Sequence, residues 1–250
     1  MTINLRELAT SMNDFVFSTK IPSTGDIVNG KPYTIRDEFK MAQIQNSVDR
    51  KGILNIIFDL VKDKYYTLTT KQIETLTLTD IQWLLAALKI NSDEHEIPII
   101  VTCSSCGQKF DYKLNLVEIK LNKTDFKKTI KFQSDKLPKP LSIEFKTASF
   151  VELIKSYDNA TDSFVSTDDM ATSILDCIDS IAYGDEMGKV SDFQKDDLVF
   201  FIENIPKKFF PEIKAFINNP PTLVYERKPK CSHCGKDNVI GLEDFFSLLF

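Results

Sequence analysis

At 250 residues, with 42% apolar and 11% aromatic side chains, the chain can bury a real core and has room for one large domain or two small ones. Its net charge of −5, from 31 basic and 36 acidic residues, argues against a dedicated nucleic-acid binder, because phosphate repels an acidic surface unless the basic residues are segregated. Met1 to Leu8 carry charge early, and no stretch approaches the ~20 apolar residues of a membrane span, so a soluble chain without signal or span, made in the cytosol, is expected.

In chain order, Ile21-Pro22-Ser23-Thr24-Gly25 reads as a turn entering a short strand at Asp26–Val28. Asn29-Gly30 reads as a hairpin turn, with Lys31–Ile35 as the returning strand. Asp37 is placed to cap a helix with apolar positions Phe39, Met41, Ile44 and Val48. Asp49 is placed to cap a second helix, whose apolar set between Ile53 and Val61 is wide enough for burial on most sides. Thr79-Asp80 opens a third, carrying Ile81, Trp83, Leu84, Leu85 and Leu88.

Residues 96–102 form a strand that delivers the chain to Cys103, and the alternation Phe110, Tyr112, Leu114 marks the returning strand. Short strands follow at 129–132 and 141–145, with a proline-bearing turn at 138–140. Helical patterns then cover 149–158, 168–182, 194–204 and 207–218, until Pro220-Pro221 stops the last one. The Asp/Ser/Thr cluster at 158–169 is the candidate mobile loop. Residues 222–225 form a strand, and an apolar helix at 242–250 closes the chain.

Five cysteines stand as two CxxC pairs and a single Cys177, read as a small core residue of the 168–182 helix. In Cys103-Ser104-Ser105-Cys106-Gly107 and Cys231-Ser232-His233-Cys234-Gly235, two thiols leave one tight turn and the glycine relieves crowding after the second. Two matching knuckles between strand-like segments point to one structural Zn2+ held by Cys103, Cys106, Cys231 and Cys234. Disulfides, free thiols, a redox role, or His233 replacing one thiolate are the alternatives.

The metal would join distant stretches of chain, and its affinity would become folding stability, with apparent values near ~10 kcal/mol. The expected fold is α+β: zinc-ribbon-like β hairpins with N-terminal helices and a large α/β insert between the knuckles. Its parts are a hairpin and helical region at 1–95, a split ribbon at 96–118 and 222–250 with the apolar C-terminal helix, and the insert at 119–221, mainly helical from 149.

Four thiolates leave no open coordination position for substrate. No GxSxG, HExxH, P-loop or GxGxxG pattern occurs, and only His95 and His233 are present, so no enzyme is expected and no catalytic residue is assigned. Basic residues gather at Arg227, Lys228, Lys230 and Lys236, and at Lys123, Lys127, Lys128, Lys131, Lys136 and Lys139. A zinc-ribbon nucleic-acid-binding or transcription-related protein is therefore the competing reading. Lysines that solubilise strands and blunt sheet edges explain these sets better. Leu242, Phe245, Phe246, Leu248, Leu249 and Phe250 must be covered, by the chain itself or by a partner, since each is worth ~1.5–3 kcal/mol when buried.

The order of these parts resembles the baseplate hub and hub-assembly proteins of T4-like contractile-tailed bacteriophages. The resemblance is carried by Ile21-Pro22-Ser23-Thr24-Gly25, Ile35-Arg36-Asp37-Glu38, Leu78-Thr79-Asp80-Ile81, the Asn-Leu segment at 115–120, the two CxxCG knuckles and Phe245-Phe246. It implies a structural or assembly role without turnover, in which the chain helps build the hub where the tape-measure protein and tail tube begin. It also implies other hub and tape-measure proteins as partners in an oligomer or hetero-complex. The expected place is the host cytoplasm during assembly, and the tail baseplate if the protein stays in the virion.

Overall fold

The computed structural model describes residues 4–12, 15–45, 50–92, 95–132, 137–159, 167–242 and 245. It is a mixed helix and strand protein that divides into two compact units. Residues 1–122 and 222–250 form the first, and 123–221 form the second.

In the first unit, helix α1 (Leu5–Met12) precedes an antiparallel hairpin of β1 (Phe17–Lys20) and β2 (Ile27–Gly30). The turn between these strands is Ile21–Asp26. The Gly25 amide donates to the Ile21 carbonyl at 2.9 Å, and Gly25 takes a φ of 80°, which glycine adopts without a side-chain clash. Asn29-Gly30 is not the predicted turn but lies inside β2, paired with Ser18 and Phe17, and residues 31–34 form no returning strand. Gly30 is needed for close approach instead, since a Cβ there would sit 2.7 Å from the Phe17 ring and 2.9 Å from the Tyr65 ring.

Helices α2 (Ile35–Gln45), α3 (Arg50–Lys64), α4 (Thr70–Thr75) and α5 (Leu78–Ile90) follow. The caps lie earlier than predicted. For α2 the Thr34 amide and hydroxyl both donate to Asp37 at 2.7 Å, so Asp37 is the third helical residue and Thr34 the cap. For α5 the cap is Thr77, with Asp80 completing the box. A carboxylate three residues into a helix satisfies the amide of the cap while the cap hydroxyl satisfies its own amide, so acidic residues cluster one step inside the true start. Met41 is buried and Phe39 exposed, and the proposed cap Asp49 and Val48 lie outside the described residues.

The core of this unit gathers around Tyr65, whose hydroxyl donates to the Leu84 carbonyl at 2.6 Å. Ile57, Leu60, Ile73, Leu85 and Leu88 of the same unit are also buried. The burial of so many large side chains, each worth about 1.5–3 kcal/mol, selects this helix arrangement. The antiparallel hairpin of β3 (Glu96–Thr102) and β4 (Lys109–Asn115) follows. Next comes β5 (Ile119–Leu121), which pairs with β10 (Leu223–Tyr225) from the far end of the sequence.

In the second unit, β6 (Lys127–Phe132), β7 (Leu141–Lys146), β8 (Ile178–Tyr183) and β9 (Glu186–Lys189) form an antiparallel sheet in that order. Helices α6 (Phe150–Asn159) and α7 (Thr167–Leu175) lie between β7 and β8. Helices α8 (Lys195–Glu203) and α9 (Phe210–Ile217) follow β9. The apolar core packs Ile130, Ile143 and Phe145 of the sheet with Ile174, Ile202 and Phe216 of the helices.

The helix predicted over 168–182 ends at Leu175. Its second half is β8, the strand that receives hydrogen bonds from β7 on one side and β9 on the other. Ile178 and Ile181 fit a helical spacing as well as a strand, and it is pairing on both sides that selects the strand. Cys177 is buried in the core cluster, in the turn between α7 and β8 and not on the helix. Most of the loop predicted at 158–169 lies outside the described residues, as does all of the 242–250 helix except Leu242 and Phe245, both of which are buried.

Candidate metal centre

The first knuckle is the connection of the β3–β4 hairpin. The second follows β10 and is closed by the antiparallel bridge of Lys230 with Asp237. Their backbones repeat one another. Gly107 and Gly235 both adopt a φ of 71° and donate at 2.9 Å to the carbonyls of Cys103 and Cys231. The Cys103 and Cys231 amides donate to the carbonyls of Gln108 and Lys236, again at 2.9 Å. The amides of Ser105 and His233 point at the sulfurs of Cys103 and Cys231 at 3.4 Å. Each turn thus aims two thiols the same way and surrounds one of them with N–H groups.

The structure brings all four predicted cysteines together. Their Sγ atoms lie within 4.8 Å of one another, Cys103 to Cys234 at 3.6 Å and Cys106 to Cys231 at 3.8 Å, and all four are free thiols. A tetrahedral metal with bonds of about 2.3 Å to sulfur separates its ligands by about 3.8 Å, so the printed cross-knuckle distances fit such an ion. His233 is not among the clustered donors. Cys103 and Cys231 are buried, packed with Phe110 and against Val101 and Tyr112, while Cys106 and Cys234 face solvent.

Without metal the cluster is electrostatically uneven. The amides of Cys106 and Ser105 lower the Cys103 thiol to about 6. At Cys106 the Gln108 amide favours the thiolate, but desolvation and the neighbouring sulfurs outweigh it and push that thiol up to about 12. Cys103 therefore gives up its proton readily while Cys106 holds its own, and a metal ion at the cluster would take the place of thiol protons.

Asn238 is the residue that sequence reasoning missed. It is 3% exposed, and its Oδ1 accepts from the amide of Ser104 in the other knuckle at 3.0 Å. Its Nδ2 donates to the Lys236 carbonyl at 3.0 Å, and its amide donates to Pro229 at 2.9 Å. One side chain therefore fastens the first knuckle to the second. Nothing local marks it, since its partner is 134 positions away. Behind the cluster, the Tyr112 and Tyr225 hydroxyls meet at 3.0 Å, and Tyr225 donates to Glu118 at 3.1 Å. Burial and the Tyr112 contact hold the Tyr225 hydroxyl well above its usual range.

Part of the basic sets is ion-paired. Arg227 binds Glu118 at 2.5 Å, Lys127 binds Glu144 and Asp179, and Lys128 binds Glu212. Charges committed to carboxylates are poorly placed to neutralise phosphate. Among the described residues no helix is long and apolar enough to cross a membrane.

Fold and site together define a protein of two mixed units whose first unit is closed by an all-cysteine cluster able to hold a metal ion. The family model for the T4 bacteriophage base plate protein matches residues 12–248, and the chain belongs to that family. Its role is accordingly a structural one in the phage tail. No curated protein and no solved structure matches it.

Proposed function

We propose that this chain is a hub component or hub-assembly factor of the baseplate, joining hub and tape-measure proteins by protein–protein contact. The family match over residues 12–248 carries this reading, because it makes the tail the place of action for nearly the whole chain. Cys103, Cys106, Cys231 and Cys234 hold Zn2+ in a split zinc-ribbon, and the ion is structural. Four sulfurs fill a tetrahedral shell, and zinc favours tetrahedral thiolate sites without redox change.

The chain's own residues do the work there. Paired Gly107 and Gly235 turns aim the sulfurs, Asn238 locks one knuckle to the other, and the packing of Phe110 keeps water from Cys103 and Cys231. Bound zinc would tie β3–β4 to the segment after β10, converting metal affinity into stability of the first unit.

The partner reading is tested by co-expression with tape-measure and hub proteins followed by pull-down. A stoichiometric complex is expected, and its absence with all candidates would overturn the hub role. Elemental analysis of freshly purified protein should find one zinc per chain, and iron or no metal would overturn the zinc assignment. Protein inventory of purified tails separates a resident hub subunit from a factor that works in the host cytoplasm and leaves.

A further inference from the structure

The four sulfurs of the cluster differ in what can reach them. Cys106 and Cys234 are exposed, whereas Cys103 and Cys231 are buried with Phe110 and packed against Tyr112. The amides of Ser105 and His233 also lie against the covered pair. Each knuckle therefore offers one sulfur to solvent and keeps one protected.

Contacts between the sulfurs join these two kinds across the knuckles. Exposed Cys234 meets buried Cys103 at 3.6 Å, and exposed Cys106 meets buried Cys231 at 3.8 Å. A solvent-facing sulfur beside a second, protected one is the arrangement in which an oxidised cysteine is resolved as a disulfide.

We propose that the cluster is a convertible clamp: a peroxide oxidises it to two disulfides, Cys103–Cys234 and Cys106–Cys231, which release the metal and keep the knuckles joined. The thiolate of Cys106 or Cys234 attacks the peroxide and breaks its O–O bond. That sulfur becomes a sulfenic acid and hydroxide leaves. The buried thiolate of the other knuckle then attacks the oxidised sulfur, forms the S–S bond and expels a second hydroxide. Two electrons pass from the sulfur pair to each peroxide. The first disulfide takes two ligands from a tetrahedral shell, so the metal is lost at that step.

Folding favours bonds between the knuckles over bonds within a CxxC turn. Linking partners 131 or 125 positions apart restricts the unfolded chain strongly, while a bond inside one turn restricts it little. The same difference favours the long-range bonds in the folded chain. The cytosol keeps thiols reduced and virion surfaces do not. A phage tail protein meets both settings, and the clamp is metallic in the first and covalent in the second. The conversion rests on the proposed four-cysteine metal site and is independent of the hub role.

The test treats freshly purified protein with hydrogen peroxide and follows metal release, thiol count and peptide masses together. Thiols titrated in denaturant should fall from five to Cys177 alone, which is buried in the core of the second unit. Trypsin should then yield residues 90–109 linked to residues 231–236, and fragmentation should place the bonds at Cys103–Cys234 and Cys106–Cys231. The oxidised, metal-free chain should melt about 5–10 °C above the reduced, metal-free chain. Separate peptides, each lighter by a hydrogen molecule, would place the bonds within the knuckles and overturn the proposal. So would sulfinic acids at Cys106 and Cys234, or an oxidised chain that melts no higher than the reduced one. Protein purified without metal would sink the zinc assignment, while the peptide masses would still decide the disulfides.

Discussion

Asp80 joins two segments 57 positions apart, and replacing it with asparagine isolates the strength of that joint. The carboxylate is fully buried and accepts four hydrogen bonds. Oδ1 takes the Ser23 amide at 2.9 Å, and Oδ2 takes the Ser23 hydroxyl at 2.6 Å together with the amide and hydroxyl of Thr77 at 2.8 and 2.7 Å. An asparagine fills the same space but has one oxygen. Whichever way its amide is turned, the N–H of Ser23 or of Thr77 faces an NH2 group, while the hydroxyls can rotate to compensate. One buried backbone donor is then stranded, at a cost of about 1–3 kcal/mol.

Alanine strands both donors, and about 3–5 kcal/mol is expected, a large part of the 5–15 kcal/mol that holds a domain together. Trp83 is the only tryptophan and its indole donates to Thr19 at 3.3 Å, so urea unfolding followed by its fluorescence reports on the first unit alone. An Asp80→Asn variant within about 0.5 kcal/mol of the parent would refute the reasoning, because surface changes without such partners fall in that range.

Cys231→Ser should reduce bound metal and lower the melting temperature together. Unchanged melting in the metal-depleted variant would contradict a structural ion. Asn238→Ala should leave the four sulfurs in place but cost about 1–3 kcal/mol and speed metal loss to a chelator in a colorimetric assay. Gly30→Ala should destabilise by about 1–3 kcal/mol in the same urea assay, because its Cβ meets two buried rings; a neutral effect would contradict that close approach.

A pH prediction comes from Asp37, which pairs with buried Lys64. Burial raises its pKa, but hydrogen bonds from Lys64 and Thr34 outweigh that and hold it below the usual carboxylate range. A depressed carboxyl contributes stability above its unfolded value, about pH 4, and loses it as pH falls through the folded value. The stability gap between the parent and Asp37→Asn should therefore be full at neutral pH and shrink below about pH 4. A gap that widens in acid would show the sign to be wrong.

Much of the outline was legible before any coordinates. The knuckles announce themselves because CxxCG chemistry is local, four residues and a glycine setting the direction of two sulfurs. The hairpin around Cys103 follows from alternation in Phe110, Tyr112 and Leu114, and proline pairs end helices by geometry alone. Helix starts were displaced by up to three residues because Thr34 and Thr77 share their capping boxes with the acids at 37 and 80, and composition does not say which member of a box is the cap.

What the chain decides by itself is thus what short-range sterics and hydrogen bonding can specify: turns, caps, alternation and two thiol-bearing loops. Only the tertiary structure decides that Gly30 is a contact glycine, that residues 178–183 are a strand between two others, that Ser23 and Thr77 meet on one carboxylate, and that Asn238 spans the knuckles. Each of these depends on a neighbour remote in sequence. The free energy that selects it is released only when burial brings that neighbour within hydrogen-bond or van der Waals reach.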